Sequence, residues 1–382
     1  MRWPSFSRFL VCLLGAAILS WTALVARAAG PHYVFAHYCV WYADYGATIQ
    51  GYERDIMDAQ SAGIDGFALD LGAYDDPKQS YYNTNVSLIY TAAEALGTGF
   101  KLFFSVDQSY LTNSATIVDL ISTYADRPNT FLQGTNVVVS AYGGQNTDWQ
   151  NGVFAPLSKS GISVFFVPFL WPNPVEELPM YSGCVNLLNS YSNILSGLFL
   201  FGAAGLPYQL AQCNSNYNQA VHAAGKIFMA GVSPSYWGCA QPKDGRRYFE
   251  DDGGEGTVAQ WESIIANQPD WVEIVTWNDF LEGTYVSPIN DPGQYEPQEV
   301  TPHRYCHAGY LDLAKHYIAW YKTGVEPPII DDALYYFYRI HSTNLVASKD
   351  IQITQFNGDV ADVVYNTLFL TAPARLQVIS GI

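Results

Sequence analysis

The chain has 382 residues, a formal net charge of −17, and 49% hydrophobic residues that include 28 Tyr and 10 Trp. An acidic surface of this kind repels phosphate backbones and anionic lipid headgroups, so nucleic acid and membrane partners are excluded and a neutral partner such as a glucan is favoured. The length suits one large domain with a smaller piece attached.

Arg2 and Arg8 precede an apolar run from Phe9 to Leu19, and Ala26-Arg27-Ala28 supplies small residues at the spacing a signal peptidase needs. The pattern predicts a secretory signal peptide over residues 1–29. Its apolar core is short for a bilayer span, so export to the periplasm or medium is expected rather than anchoring. Cys12 leaves with the signal, and Cys39, Cys184, Cys213, Cys239 and Cys306 remain. An oxidising compartment allows one or two disulfides, with Cys184–Cys213 as the expected pair. No CxxC pair exists, so a structural zinc site has no sequence support; no metal and no cofactor are expected.

Strand-like apolar runs then alternate with amphipathic segments. The strands are Tyr33–Val40, Gly66–Leu71, Phe100–Val106, Asn136–Ser140, Ser163–Phe169, Gly197–Phe201, Lys226–Val232 and Trp271–Thr276. Helical spacing marks Thr48–Ala62, Asn113–Ala125, Thr257–Asn267 and Ala308–Lys322. Strands apolar on both faces belong in a parallel sheet covered by helices. The alternation predicts an α/β fold, a (β/α)8 TIM barrel over residues 30–328; a doubly wound sheet is the rival, weakened by the lack of GxGxxG after the first strand.

Beyond Pro327-Pro328 the period changes. Leu334–Ile340, Ile351–Gln355, Val360–Thr371 and Leu376–Ile379 read as strands between turns, a small and incomplete β-sandwich-like piece over residues 329–382. Glu250-Asp251-Asp252-Gly253-Gly254-Glu255 reads as a solvated acidic loop.

In a barrel of this kind function sits at the C-terminal strand ends. Those ends deliver His37 and Tyr38, Asp70, Asp107, Tyr142, Trp171, Ser233 with Trp237, and Trp277-Asn278-Asp279 with Glu282 close behind. Carboxylates move protons, amides hold hydroxyls and indoles stack on sugar faces. Asp279, Glu282 and Asp107 are therefore the candidate catalytic acids. His37, Tyr38, Asp70, Trp171, Trp237, Trp277 and Asn278 are the candidate substrate contacts. For Asp107 the bland alternative is an N-cap of the helix beginning near Asn113; for His37 it is a satisfied core histidine. Asp75 and Asp76 lack the alternate-position pattern of a calcium loop. Serine esterase, zinc protease and nucleotide hydrolase motifs are absent.

An ordered set of segments carries a further implication: Val34-Phe35-Ala36-His37, Ala62-Gly63-Ile64-Asp65-Gly66-Phe67, Lys101-Leu102-Phe103-Phe104-Ser105-Val106-Asp107, Phe166-Val167-Pro168, Val232-Ser233-Pro234, Glu273-Ile274-Val275-Thr276-Trp277-Asn278-Asp279 and Ala319-Trp320-Tyr321-Lys322-Thr323-Gly324. From Tyr33 to Pro328 the chain resembles glycoside hydrolase family 71, the α-1,3-glucanases or mutanases. The resemblance implies a (β/α)8 barrel followed by a β-sandwich, inverting cleavage of α-1,3-glucan, and Asp107, Asp279 and Glu282 as the essential acids. It also implies a departure at Asp70, where the family usually has Asn. A barrel glycosidase for another linkage, or a carbohydrate-binding protein without activity, are the alternatives. A monomer is expected.

Overall fold

The computed structural model describes residues 31–145, 147–172, 181–238, 246–288, 307–339, 342–345 and 354–379. The expected signal peptide over residues 1–29, Cys239 and Cys306 lie outside them. In chain order the elements are β1 (Tyr33–Cys39), α1 (Ile49–Ser61), β2 (Gly66–Leu71), α2 (Tyr81–Leu96), β3 (Lys101–Asp107), α3 (Ser114–Tyr124), β4 (Leu132–Gln133), β5 (Asn136–Tyr142), α4 (Ala155–Lys159), β6 (Val164–Phe166), α5 (Tyr181–Ser190), β7 (Gly197–Phe199), α6 (Pro207–Ala223), β8 (Ile227–Val232), β9 (Tyr236–Gly238), β10 (Arg246–Phe249), α7 (Gly254–Asn267), β11 (Trp271–Ile274), α8 (Ala308–Thr323), β12 (Ala333–Tyr338), β13 (Thr354–Asn357) and β14 (Val364–Phe369).

Local chemistry sets the ends of these elements. The Thr48 hydroxyl accepts the Gly51 N–H at 3.0 Å and starts α1. Asn113 Oδ1 accepts the N–H groups of Ala115 and Thr116 and starts α3. The cap of α3 is therefore Asn113 itself, while Asp107 Oδ1 accepts the Ser109 N–H at 2.9 Å. Gly97 and Gly324 stop α2 and α8 in the left-handed conformation, at φ 60° and 70°.

All eight strands expected from the sequence are present and parallel, in one nine-stranded sheet with β4 antiparallel at its margin. The order is β4-β5-β3-β2-β1-β11-β8-β7, and β6 pairs with β5. The Ser196 N–H donates to the Phe166 carbonyl and the Phe199 N–H to that of Pro168, each at 2.9 Å, so β7 runs alongside the β6 segment. The sheet curls as a barrel does, with helices outside. Its interior shows the curl directly. Phe35 of β1 meets Phe103 of β3 at 4.9 Å between centroids, and Trp271 of β11 meets both Phe131 at 5.1 Å and Phe165 of β6 at 6.0 Å. Rings from distant strands touch only across an enclosed space. Period-two alternation then stacks a polar layer on this aromatic floor: His37 follows Phe35 on β1, Ser105 and Asp107 follow Phe103 on β3, and Glu273 follows Trp271 on β11.

The C-terminal residues differ from the expected sandwich. β12 and β14 form a two-stranded antiparallel sheet, whereas β13 leaves them and pairs in parallel with β10. Leu376–Ile379 is not a strand. The acidic loop is not simply solvated either. Glu250 is 2% exposed and pairs with Arg339, whose guanidinium also reaches Tyr248 Oη at 2.8 Å and the Ala361 carbonyl. Asp251 accepts the Tyr310 hydroxyl at 3.0 Å. Asp252 and Glu255 are exposed, while Glu250 and Asp251 offset their desolvation through these partners. Cys184, on α5, is a buried free thiol, so the expected Cys184–Cys213 pair does not form. Among the described residues no helix is long and apolar enough to cross a membrane.

Candidate active site

β11 ends at Ile274, and the chain then folds into a tight turn that carries the acids. The Thr276 hydroxyl accepts the Asp279 N–H at 2.8 Å, and Asp279 Oδ1 accepts the N–H groups of Leu281 and Glu282 at 3.0 and 3.1 Å. These bonds fix both carboxyls at one rim. The Glu282 side chain is held from the opposite side by β9, where the Tyr236 hydroxyl donates to Oε1 at 3.1 Å. The Trp237 N–H donates to the Glu282 carbonyl at 2.7 Å, and the Ser235 hydroxyl to the Gly283 carbonyl at 2.7 Å. β9 pairs with β10, and β10 with β13, so a small three-stranded sheet braces the acid loop from the C-terminal residues.

The carboxyls influence one another strongly. Burial and the Asp279 charge push Glu282 up to about 8. Burial raises Asp279 to about 6, although the two backbone N–H groups pull the other way. Asp107 rises to about 6, through burial and the neighbouring Asp70 charge. Tyr142, at the end of β5, feels Glu282, Asp107 and Asp70, and these acids together with burial raise its hydroxyl. Asp107, Asp279 and Glu282 therefore occupy one electrostatic neighbourhood, as the strand ends predict.

Other expected site residues separate into two groups. Trp171 is 37% exposed and edge-on to Phe169 at 4.9 Å and Tyr142 at 5.8 Å. Trp237 is half-buried, edge-on to Tyr248. Asp70 lies under the mouth with Oδ1 lacking a protein hydrogen bond. Tyr38, Trp277 and Asn278 are corrections. Tyr38 and Trp277 are fully buried outside the sheet, the hydroxyl and indole N–H both donating to Asp55 at 2.9 and 3.0 Å. Asn278 is likewise fully buried, its amide engaged with the Cys39 main chain and Asp44. These three support the loop and cannot touch a sugar. His37 is also no direct sugar contact: it is 2% exposed and both ring nitrogens face carboxylates.

Three residues escaped the sequence reading of the site. Tyr236 holds Glu282, and Arg247 lies near it, its Cζ 6.0 Å from the Tyr236 centroid, where its charge lowers Glu282 against burial. Glu273, fully buried in β11, grips His37. Only Glu273 left a signal, since a carboxylate inside an apolar strand requires a partner.

The raised acids set the pH dependence of stability. Asp107, Asp251, Asp279 and Glu282 have folded values of about 6, 7, 6 and 8, all above the usual carboxyl range. These four acids thus hold protons that the unfolded chain has lost between about pH 4 and 8, and their contribution to stability falls as pH rises through that window; His307, lowered by burial to about 4, opposes them below pH 6.5. His37, raised from 6.5 to about 10, acts in the same direction as the acids above pH 6.5. Thermal melts should give a Tm higher at pH 5 than at pH 8; the reverse order would contradict the site's burial.

Comparison with known proteins agrees with this geometry. The GH99 endo-α-mannosidase of Bacteroides thetaiotaomicron shares the fold at a TM-score of 0.58 and 15% identity, over 76% of this chain and 98% of that one. The glucan endo-1,3-alpha-glucosidase of Schizosaccharomyces pombe is 27% identical over 95% of this chain and 84% of its own length. A mutanase of Penicillium rubens is 28% identical over 91% and 75%. The ascus wall endo-1,3-alpha-glucanase of S. pombe is 28% identical over 86% and 75%. Residues 30–382 match glycosyl hydrolase family 71, and the chain belongs to that family.

Proposed function

We propose that this chain hydrolyses the α-1,3-glucosidic bonds of α-glucan with inversion, Glu282 serving as general acid and Asp279 as general base. The observation that carries the reading is the asymmetry of the pair. Two carboxyls sit three residues apart on one turn, and burial together with the charge of Asp279 keeps Glu282 protonated at a pH where Asp279 is ionised. Glu282 gives its proton to the glycosidic oxygen as the C1–O bond breaks. Asp279 takes a proton from the water that attacks C1 from the opposite face. The product is a β-hemiacetal, and exchange with solvent restores both carboxyls. An inverting pair requires a separation of roughly 6.5–9.5 Å to admit the water.

Asp107 contacts the distorted ring or tunes the pair. Asp70 supports Asp107 through its charge, and Trp171 and Trp237 stack on flanking sugars. The sheet is read as a closed (β/α)8 barrel over residues 30–328 with residues 329–382 packed beside it. The protein is read as exported and monomeric. Support comes from the family, from the named activities of the relatives, and from the bonds that join β6 to β7.

The pH dependence of kcat follows from the assigned roles. Activity falls below about pH 6, as Asp279 gains a proton, and above about pH 8, as Glu282 loses one. A pH–rate series should give a bell between these limits. The reading itself is tested by chromatography of sugars released from insoluble α-1,3-glucan, dextran and β-1,3-glucan. Release from the first alone supports it. Release from another polymer alone transfers the same acids to that linkage, and release from none leaves a binding protein.

A further inference from the structure

His37 sits between two acids. Its Nδ1 is 2.7 Å from Glu273 Oε1 and its Nε2 3.3 Å from Asp70 Oδ2. A neutral imidazole has one N–H and one lone pair, so it satisfies one carboxylate and repels the other; an imidazolium satisfies both. Water offers no escape, because the His37 and Glu273 side chains are 3% and 0% exposed. Glu273 Oε2 and Asp70 Oδ1 make no protein hydrogen bond, so the ring is the compensation these carboxylates have in common.

We propose that His37 and Glu273 are positioning residues for the hydrolytic reaction: Glu273 locks the ring as a permanent cation one layer below the mouth, and that cation keeps Asp279 ionised while Glu282 retains its proton. The inference rests on the acid and base roles assigned above. The layering supports it. Glu273 follows Trp271 and His37 follows Phe35 above the aromatic floor, and the reacting acids lie above both. The acids that interact with the ring are Glu273 on β11, Asp70 on β2, Asp107 on β3, and Asp279 and Glu282 on the following turn. The ring of Phe201 packs against it at 5.1 Å, with Tyr142 beyond. Among the described residues Arg247 acts on Glu282 as well, but His37 is the cation that lies between Asp70 and Glu273. Burial opposes its charge, but the Asp70 and Glu273 carboxylates outweigh burial and raise it to about 10. Its charge in turn lowers Asp107, Asp279 and Glu282 against their own burial.

Two measurements test this. The first needs no substrate: ¹⁵N-histidine spectra of the intact protein, with the His37 signal assigned by its loss in His37→Gln. Both ring nitrogens should stay protonated from pH 5 to 8. A ring that titrates near pH 6.5 overturns the proposal, whatever the enzyme hydrolyses, so this failure is distinguishable from failure of the hydrolytic reading. The second is the double variant His37→Gln/Glu273→Gln, which removes the positive and negative charge together and preserves the shape. Both limbs of its pH–kcat profile should move to higher pH by about one unit, because the ring's charge lowers both Asp279 and Glu282. A profile that keeps both limbs in place while kcat falls assigns the pair to packing and overturns the proposal.

Discussion

Glu282→Ala lowers turnover of α-1,3-glucan by about 10³-fold and leaves the melting temperature close to that of the parent. The magnitude is that of a lost general acid. The stability expectation follows from burial. The carboxyl is pushed up to about 8 because its surroundings disfavour the charge, so its removal relieves a strain rather than creating one. The lost bond from the Tyr236 hydroxyl offsets part of that gain. An aryl α-glucoside with an acidic phenol leaving group needs no proton from the enzyme. On that substrate the variant should retain most of the parent's rate. A variant equally impaired on both substrates has lost something other than proton donation, and one that turns over glucan normally removes Glu282 from the chemistry.

Arg339→Met should destabilise the protein by about 3 kcal/mol, the cost of stripping a buried carboxylate of its partner. Glu250 is 2% exposed, and Arg339 is its ion-pair partner as well as a donor to Tyr248 and Ala361. The Glu250→Gln change placed on top should return much of the loss, because the uncompensated charge disappears. Urea melts of the two single variants and the double variant complete the cycle. A loss under about 1 kcal/mol would mean that water reaches Glu250 and that the C-terminal residues are held to β10 by strand pairing alone. The effect reaches the site through β10, β9 and Tyr236, so kcat should fall more than KM rises.

Much of this molecule was legible in the chain because its strands are apolar on both faces and are bounded by breakers. Gly66–Leu71 coincides with β2 residue for residue, and the other seven strands differ only at their ends. β9 and β10 were not legible. Three- and four-residue strands carry no period, and the union of β10 with β13 joins segments about a hundred residues apart. The acids were legible as carboxylates that close apolar runs. Tyr38, Trp277 and Asn278 were misread, and for Tyr38 the correction was available in the strand's own alternation. If Phe35 and His37 point inward, Tyr38 points to the helices, where Asp55 receives its hydroxyl. Glu273 was passed over as a member of an apolar run, although that setting is the reason it needs a partner. The acidic stretch at Glu250 looked solvated because its cation, Arg339, lies 89 positions away.

Proton NMR of the first sugar released from an α-1,3-glucan oligosaccharide tests the paired roles of Glu282 and Asp279 most directly. Direct attack by water held at Asp279 yields the β-anomer before mutarotation, and that signal should rise first. An α-anomer appearing first would require two displacements and a covalent intermediate, and would contradict the account.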